Sequence, residues 1–156
     1  MISFRATTHD DVALLAAWFE RDHVKRWWRN ERAEDHVDPN EHFLIELEGR
    51  PVWMIQTYLV DDHPAWKEVV GEETDLAGVD LLIGEPDLVG IGLGPAVLRQ
   101  FARAIVFARP ETTALVATVE ERNGRSWRAF EKAGFRHVAD VEEDGLPHRL
   151  MRLDRS

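Results

Sequence analysis

Three glycines on alternate positions, in Val89-Gly90-Ile91-Gly92-Leu93-Gly94-Pro95, follow an apolar run from Val79 to Ile83. Glycines at this spacing remove side chains where backbone must come close to something. Leu93, Val97, Leu98, Phe101 and Ile105 then fall at helical spacing, and Pro95 suits a first helical turn. A helix start has N–H groups with no internal partner, so strand, loop and helix together form a cradle for a phosphate-bearing ligand. Within the apolar run stands one carboxylate, Asp80. A charge in an otherwise apolar strand is costly unless it is paired or used. It can take a proton or hold a cation; alternatively it pairs with a nearby arginine or caps a turn.

Two acidic runs add a second chemistry. Glu72, Glu73 and Asp75 precede the Asp80 strand, and Asp140, Glu142, Glu143 and Asp144 lie near the C-terminus. Brought to one mouth they would draw in a cation; apart, they are two solvated loops. Trp27, Trp28, Trp53 and Trp66 could wall such a site, although at least two of the four are expected in the core. Other chemistries are excluded or unsupported. With no cysteine there is no disulfide, thiolate metal site or cysteine nucleophile. The seven histidines show no paired metal-ligand spacing, and His36 and His42, six apart near a loop, have no reason to converge. No metal is expected, and no local motif argues for a Ser-His-Asp arrangement.

The 156 residues suffice for one domain with its own core, taken as 1–156. No apolar run approaches the ~18 residues that a membrane span needs, and the start, Met1-Ile2-Ser3-Phe4-Arg5, lacks the layout of a signal peptide. A cytoplasmic location is the default. The formal charge of −10 disfavours nucleic acid and anionic membranes and favours a polycationic small molecule, or serves solubility alone. Between monomer and homodimer the sequence does not choose.

The elements that must position these residues can be read in order. Ile2 to Ala6 forms a first strand. Thr7 or Thr8 caps a helix that opens on His9-Asp10-Asp11. A short helix covers His23 to Trp28, and Arg29 to Glu41 is loop. Strands over His42 to Glu48 and Val52 to Val60 flank a turn at Gly49-Arg50. Asp61 to Asp75 is irregular, with one helical turn near Trp66. Gly78 to Gly84 is a buried strand, followed by the glycine-loop helix, a strand over Ala114 to Val119, a helix from Asn123 to Ala133 stopped by Gly134, and strands over Phe135 to Val141 and Arg149 to Leu153 around Asp144-Gly145. The alternation implies an α/β (α+β) fold. Its sheet is mixed, mostly antiparallel, of six to seven strands, with at least one parallel pairing and helices on both faces.

Two motifs in this order resemble the GCN5-related N-acetyltransferases, the GNAT superfamily. One is Gly90-x-Gly92-x-Gly94 after a strand. The other is Asn123 followed, after six residues, by Phe130-Glu131-Lys132-Ala133-Gly134-Phe135. The likeness extends to the aminoglycoside 6′-N-acetyltransferases through Phe4-Arg5, Asp10-Asp11, Trp18, His23 to Trp28, Glu72 to Asp75 and Gly78-Val79-Asp80. Acyltransferases that modify hydroxylysine-type amines in siderophore synthesis are also similar. Val89 stands where the superfamily usually has arginine or glutamine. Phe130 stands where many members have a tyrosine proposed as general acid, and the only tyrosine, Tyr58, lies in another strand. The segment between Trp28 and His42 is shorter than in the antibiotic-modifying members.

The resemblance implies acetyl-CoA as cofactor and acetyl transfer to the primary amine of a cationic acceptor. The aminoglycoside 6′-amine leads, and a hydroxylysine or lysine amine is the alternative, as is a degenerate acyl-CoA-binding module without turnover. It implies that the backbone of Leu81, Leu82 and Ile83 pairs with the pantetheine arm, that Val89, Gly90, Ile91, Gly92, Leu93, Gly94 and Pro95 hold the diphosphate, and that Asn123, Ser126 and Phe130 contribute from the next helix. A backbone N–H near Leu82 or Ile83 would serve the developing oxyanion. Asp80 would take the amine proton, directly or through water, or position the ammonium. Trp28, Glu73, Asp75, Asp80 and Asp144 are the expected acceptor-binding residues.

Overall fold

The computed structural model describes residues 1–29, 31–83 and 92–156. Seven strands are hydrogen-bonded in the order β1-β2-β3-β4-β5-β7-β6, where β1 is Ile2–Ala6, β2 His42–Leu47, β3 Arg50–Leu59, β4 Leu76–Ile83, β5 Ala114–Glu120, β6 Arg136–Glu143 and β7 Leu146–Asp154. β1–β2, β2–β3, β5–β7 and β6–β7 are antiparallel, and β4–β5 is parallel. The sheet is mixed and mostly antiparallel, as the alternation predicts. The chain falls into two compact units, which divide β3 after Gln56 and β4 before Asp80.

The first unit gathers Met1–Gln56 and β4 from Asp80 on. Its first turn is a capping box. The Thr8 hydroxyl accepts from the Asp10 N–H at 3.3 Å, and Asp11 Oδ2 accepts from the Thr8 N–H at 2.8 Å. A 3-10 turn, His9–Asp11, leads into α1, Val12–Phe19, which buries Leu15, Trp18 and Phe19. The second helix, α2, is only Asp22–Lys25, shorter than its sequence suggests. The β2–β3 turn is Glu48-Gly49, one residue earlier than expected, with φ of 50° and 79° as a tight hairpin requires. Leu15, Trp18, Phe19, Val24, Ala33, Leu44, Met54 and Leu82 form the core of this unit.

Asp11 joins the cap to the first strand. Arg5 Nη2 and Nη1 donate to its two oxygens at 2.9 and 3.1 Å. The guanidinium, with the Thr8 N–H, holds this carboxyl below its usual range against the opposing cost of burial. A depressed carboxyl contributes stability above its unfolded value of 3.8 and loses it as pH falls through the folded value. Asp11→Asn should therefore cost about 1–2 kcal/mol in urea denaturation at pH 7. The difference from the parent protein should shrink as the pH is lowered below 3.8.

The second unit holds Thr57–Val79 and Gly92–Ser156. Pro64 starts α3, Pro64–Val70, a full helix where the sequence suggested one turn. In the β4–β5 pairing Leu76, Ala77 and Gly78 lie beside Ala114, Leu115 and Val116. The chain between them carries α4, Leu93–Phe101, which buries Val97, Leu98 and Phe101 as its stripe predicts. Ile105 does not continue the stripe. A π-helical turn, Ala102–Val106, closed by the Phe107 N–H on the Ala102 carbonyl at 2.8 Å, adds a residue to the turn and buries Val106 instead. The last helix, α5, is Gly124–Lys132. Val60, Leu76, Ala114, Val116 and Leu150 form a core here, under Trp66, Val70 and Val141.

Candidate active site

Asp80 is half-buried on β4. Gln56, where β3 leaves its buried run Val52–Ile55, donates from Nε2 to Asp80 Oδ2 at 2.8 Å. The Gln56 carbonyl oxygen meets His36 Nδ1 at 3.2 Å, and His36 Nε2 meets Glu31 Oε2 at 2.9 Å. His36 is buried. Its carbonyl accepts from the Thr7 hydroxyl at 2.9 Å. The rings of Phe19, Trp28 and His42 surround its imidazole with centroids at 5.1, 6.1 and 5.1 Å. Four polar side chains thus run in a line from the protein edge to the one carboxylate of the apolar strand.

The expectation that His36 and His42 do not converge is corrected: their rings meet edge to face at 89°. The loop between them turns back on Asp38. Its carbonyl accepts from the N–H groups of Glu41 and His42, and its side chain accepts from the Asn40 N–H. Burial first, and His36 beside it, push the His42 imidazole below its ordinary range. Glu31 and Gln56 were not singled out from the sequence, and His36 was set aside there. The available signal was the polar Gln56 at the end of an apolar run, since a buried carboxylate calls for a donor.

Trp28 is half-buried and belongs to the aromatic group around His36. Trp53 is wholly core, and Trp66 packs on the core of the second unit. The other expected acceptor residues have separate partners. Both Glu73 oxygens accept from Arg152, at 3.1 and 2.8 Å, which holds the Glu73 carboxyl below its usual range. Asp75, at φ 64°, donates its N–H to Asp61 and accepts from Thr113 at its carbonyl. Asp144 forms the β6–β7 turn with Gly145, at φ 53° and 77°.

On the cofactor side, Val89, Gly90 and Ile91 lie outside the described residues. Leu81, Leu82 and Ile83 end β4, with Leu82 in the core. Gly92 is the N-cap of α4 at φ 85°, and among the described residues no atom beyond its chain neighbours lies within 4 Å of where a Cβ would stand. No side chain caps the helix, and its first turn, with Leu93, Gly94 and Pro95, carries no acidic residue. A helix start with no side-chain cap and no acidic residue in its own first turn fits a diphosphate. Asn123 caps α5, accepting from the Ser126 N–H at 3.4 Å. Phe130 is buried edge-on against Phe135, with centroids at 4.9 Å. Among the described residues no helix is long and apolar enough to cross a membrane. No group of three or more His, Asp or Glu there is placed to hold a metal ion.

Comparison with known proteins gives this arrangement its context. Residues 7–143 match the model of the acetyltransferase (GNAT) domain. Aminoglycoside N(6′)-acetyltransferases type 1 of Klebsiella pneumoniae and of Serratia marcescens are each 30% identical over 157 residues, covering 90% of this chain and 76% of the relative. The structure of AAC(6′)-Ib with paromomycin and acetyl-CoA superposes with a TM-score of 0.86 at 28% identity, covering 99% of this chain and 93% of that one. AAC(6′)-Ib with coenzyme A and kanamycin gives the same score and identity, covering 99% and 95%. The chain therefore belongs to the GNAT acetyltransferase family, alongside the aminoglycoside 6′-N-acetyltransferases.

Proposed function

We propose that this chain, a single domain over residues 1–156, acts in the cytoplasm to transfer an acetyl group from acetyl-CoA to the 6′-amine of an aminoglycoside. The observation that carries the reading is Asp80, a carboxylate held by Gln56 on a strand whose neighbours are apolar, in a chain 30% identical to aminoglycoside N(6′)-acetyltransferases. Acetyl-CoA, when bound, supplies an acetyl group activated as a thioester. The N–H groups at the start of α4, from Gly92, Leu93 and Gly94, hold its diphosphate. Asp80 pairs with the incoming ammonium and takes its proton, which leaves the nitrogen lone pair free to form the new C–N bond as the C–S bond breaks. The backbone N–H groups of Leu82 and Ile83 serve the charge that develops on the acetyl oxygen. With Phe130 in place of a tyrosine, the second proton that the acylated nitrogen loses passes through water to the departing thiolate, giving the free thiol, and Asp80 returns its proton to solvent. The net charge of −10 favours approach of a polycationic acceptor.

The test is thiol release from acetyl-CoA with a panel of acceptors. Release is expected with aminoglycosides bearing a 6′-amine and not with congeners bearing a 6′-hydroxyl. Release with lysine or hydroxylysine derivatives alone, or with no amine at all, would overturn the assignment.

A further inference from the structure

The buried line behind Asp80 has a fixed proton count. Glu31 Oε2 accepts, so the His36 Nε2 that meets it at 2.9 Å must donate. His36 Nδ1 faces the Gln56 carbonyl oxygen at 3.2 Å, which also accepts. Gln56 Nε2 in turn donates to Asp80 Oδ2 at 2.8 Å. With the Gln56 amide in this orientation, all three contacts are satisfied together only when His36 carries hydrogen on both ring nitrogens, and the Gln56 N–H favours the ionised form of Asp80. Turning the Gln56 amide over would set its oxygen against Asp80 Oδ2, a contact that closes only if Asp80 is protonated. The orientation of one amide is thus coupled to the protonation of one imidazole, and it sets whether Asp80 meets a donor or an acceptor.

Around the His36 ring, the titratable groups are Glu31 and His42, with Asp80 reached through Gln56; Phe19 and Trp28 supply only ring faces. Burial pushes the His42 imidazole below its ordinary range, and its ring also meets the Gln56 side chain. Glu31 is the edge of the line, with its side chain 33% exposed against 6% for His36. Water therefore reaches the anion that holds the imidazolium, while the imidazolium itself stays sheltered.

We propose that His36, held as an imidazolium by Glu31, locks the Gln56 amide with its NH2 towards Asp80, so that His36 and Gln56 are positioning residues that keep Asp80 an oriented carboxylate for the acceptor ammonium. This rests on the reading of Asp80 as the residue that receives the amine.

The test is the pH profile of kcat/KM in the full chain. Gln56→Leu should lower kcat about tenfold or more, because a bond to a charged group is lost. It should also move the acid limb up by about one pH unit, because the donor that favours the ionised form is gone. His36→Phe should act in the same direction, and the double variant should be no worse than Gln56→Leu, since His36 acts only through Gln56. His36→Asn, which can return an N–H to the Nδ1 position, should recover much of the loss. Nitrogen-15 spectra of the unsubstituted protein give a readout that needs no variant to fold: both His36 ring nitrogens should be N–H at the working pH. A bare nitrogen there, an unmoved acid limb, or additive losses overturn the proposal. Full turnover by Asp80→Asn would instead overturn the parent reading. Loss on Asp80→Asn with unchanged His36 and Gln56 profiles overturns this inference alone.

Discussion

Asp80→Asn should lower kcat for acetyl transfer by about 10²–10⁴-fold while leaving the affinity for coenzyme A nearly unchanged. The substitution keeps the shape of the side chain, and its carbonyl oxygen can still accept from Gln56 Nε2. What it removes is the negative charge. A neutral amide cannot pair with an ammonium or take its proton, so the acceptor must arrive already neutral. The loss should therefore shrink as pH rises towards the amine's own pKa, and KM for the acceptor should rise at low pH. A residue that only stabilised the strand would show neither effect. Its loss would appear in urea denaturation and would carry coenzyme A affinity down with it. Turnover by Asp80→Asn equal to that of the parent protein at neutral pH would remove Asp80 from the chemistry.

The parts of this molecule that were legible in the sequence are those whose cause is local. A cap at Thr7 or Thr8 was readable from the acidic residues that follow, and the structure uses Thr8, in a capping box with Asp11 that needs nothing from elsewhere in the chain. The stripe Val97, Leu98, Phe101 was readable from helical spacing, and it failed at Ile105 only where the π turn changed the period. The parallel β4–β5 pair followed from the helix between two apolar runs. What joins distant segments was not legible. Gln56 lies 24 residues from Asp80 and 20 from His36, and pairing them requires a loop that folds back on Asp38. Glu73 reads as a free acidic residue until Arg152, 79 positions away, is placed against it. Asp80 itself was conspicuous for the opposite reason: its oddity is local, a carboxylate among leucines and valines, while its partners are not.

Gly94→Val should weaken coenzyme A binding by about tenfold to a hundredfold, the scale of losing a hydrogen bond to a charged group. A Cβ on Gly94 would stand 3.3 Å from Ala129 Cβ, tighter than ordinary contact, so the first turn of α4 lies against α5 with room for hydrogen alone. A single methyl asks for a few tenths of an ångström, and Gly94→Ala should bind coenzyme A only slightly less well. The branched valine side chain has to push the turn away from α5, and with it the N–H groups that follow Gly92. The cost in stability should be about 1–3 kcal/mol, as for other overpacked contacts, so the protein still folds. Ala129→Gly should restore part of the binding lost in Gly94→Val, because it removes the atom that obstructs. The measurement is titration of coenzyme A into each variant by calorimetry. If Gly94→Val binds as the parent does, the start of α4 is not where the diphosphate sits. If Ala129→Gly restores nothing, the loss comes from the glycine backbone itself and not from the contact between the two helices.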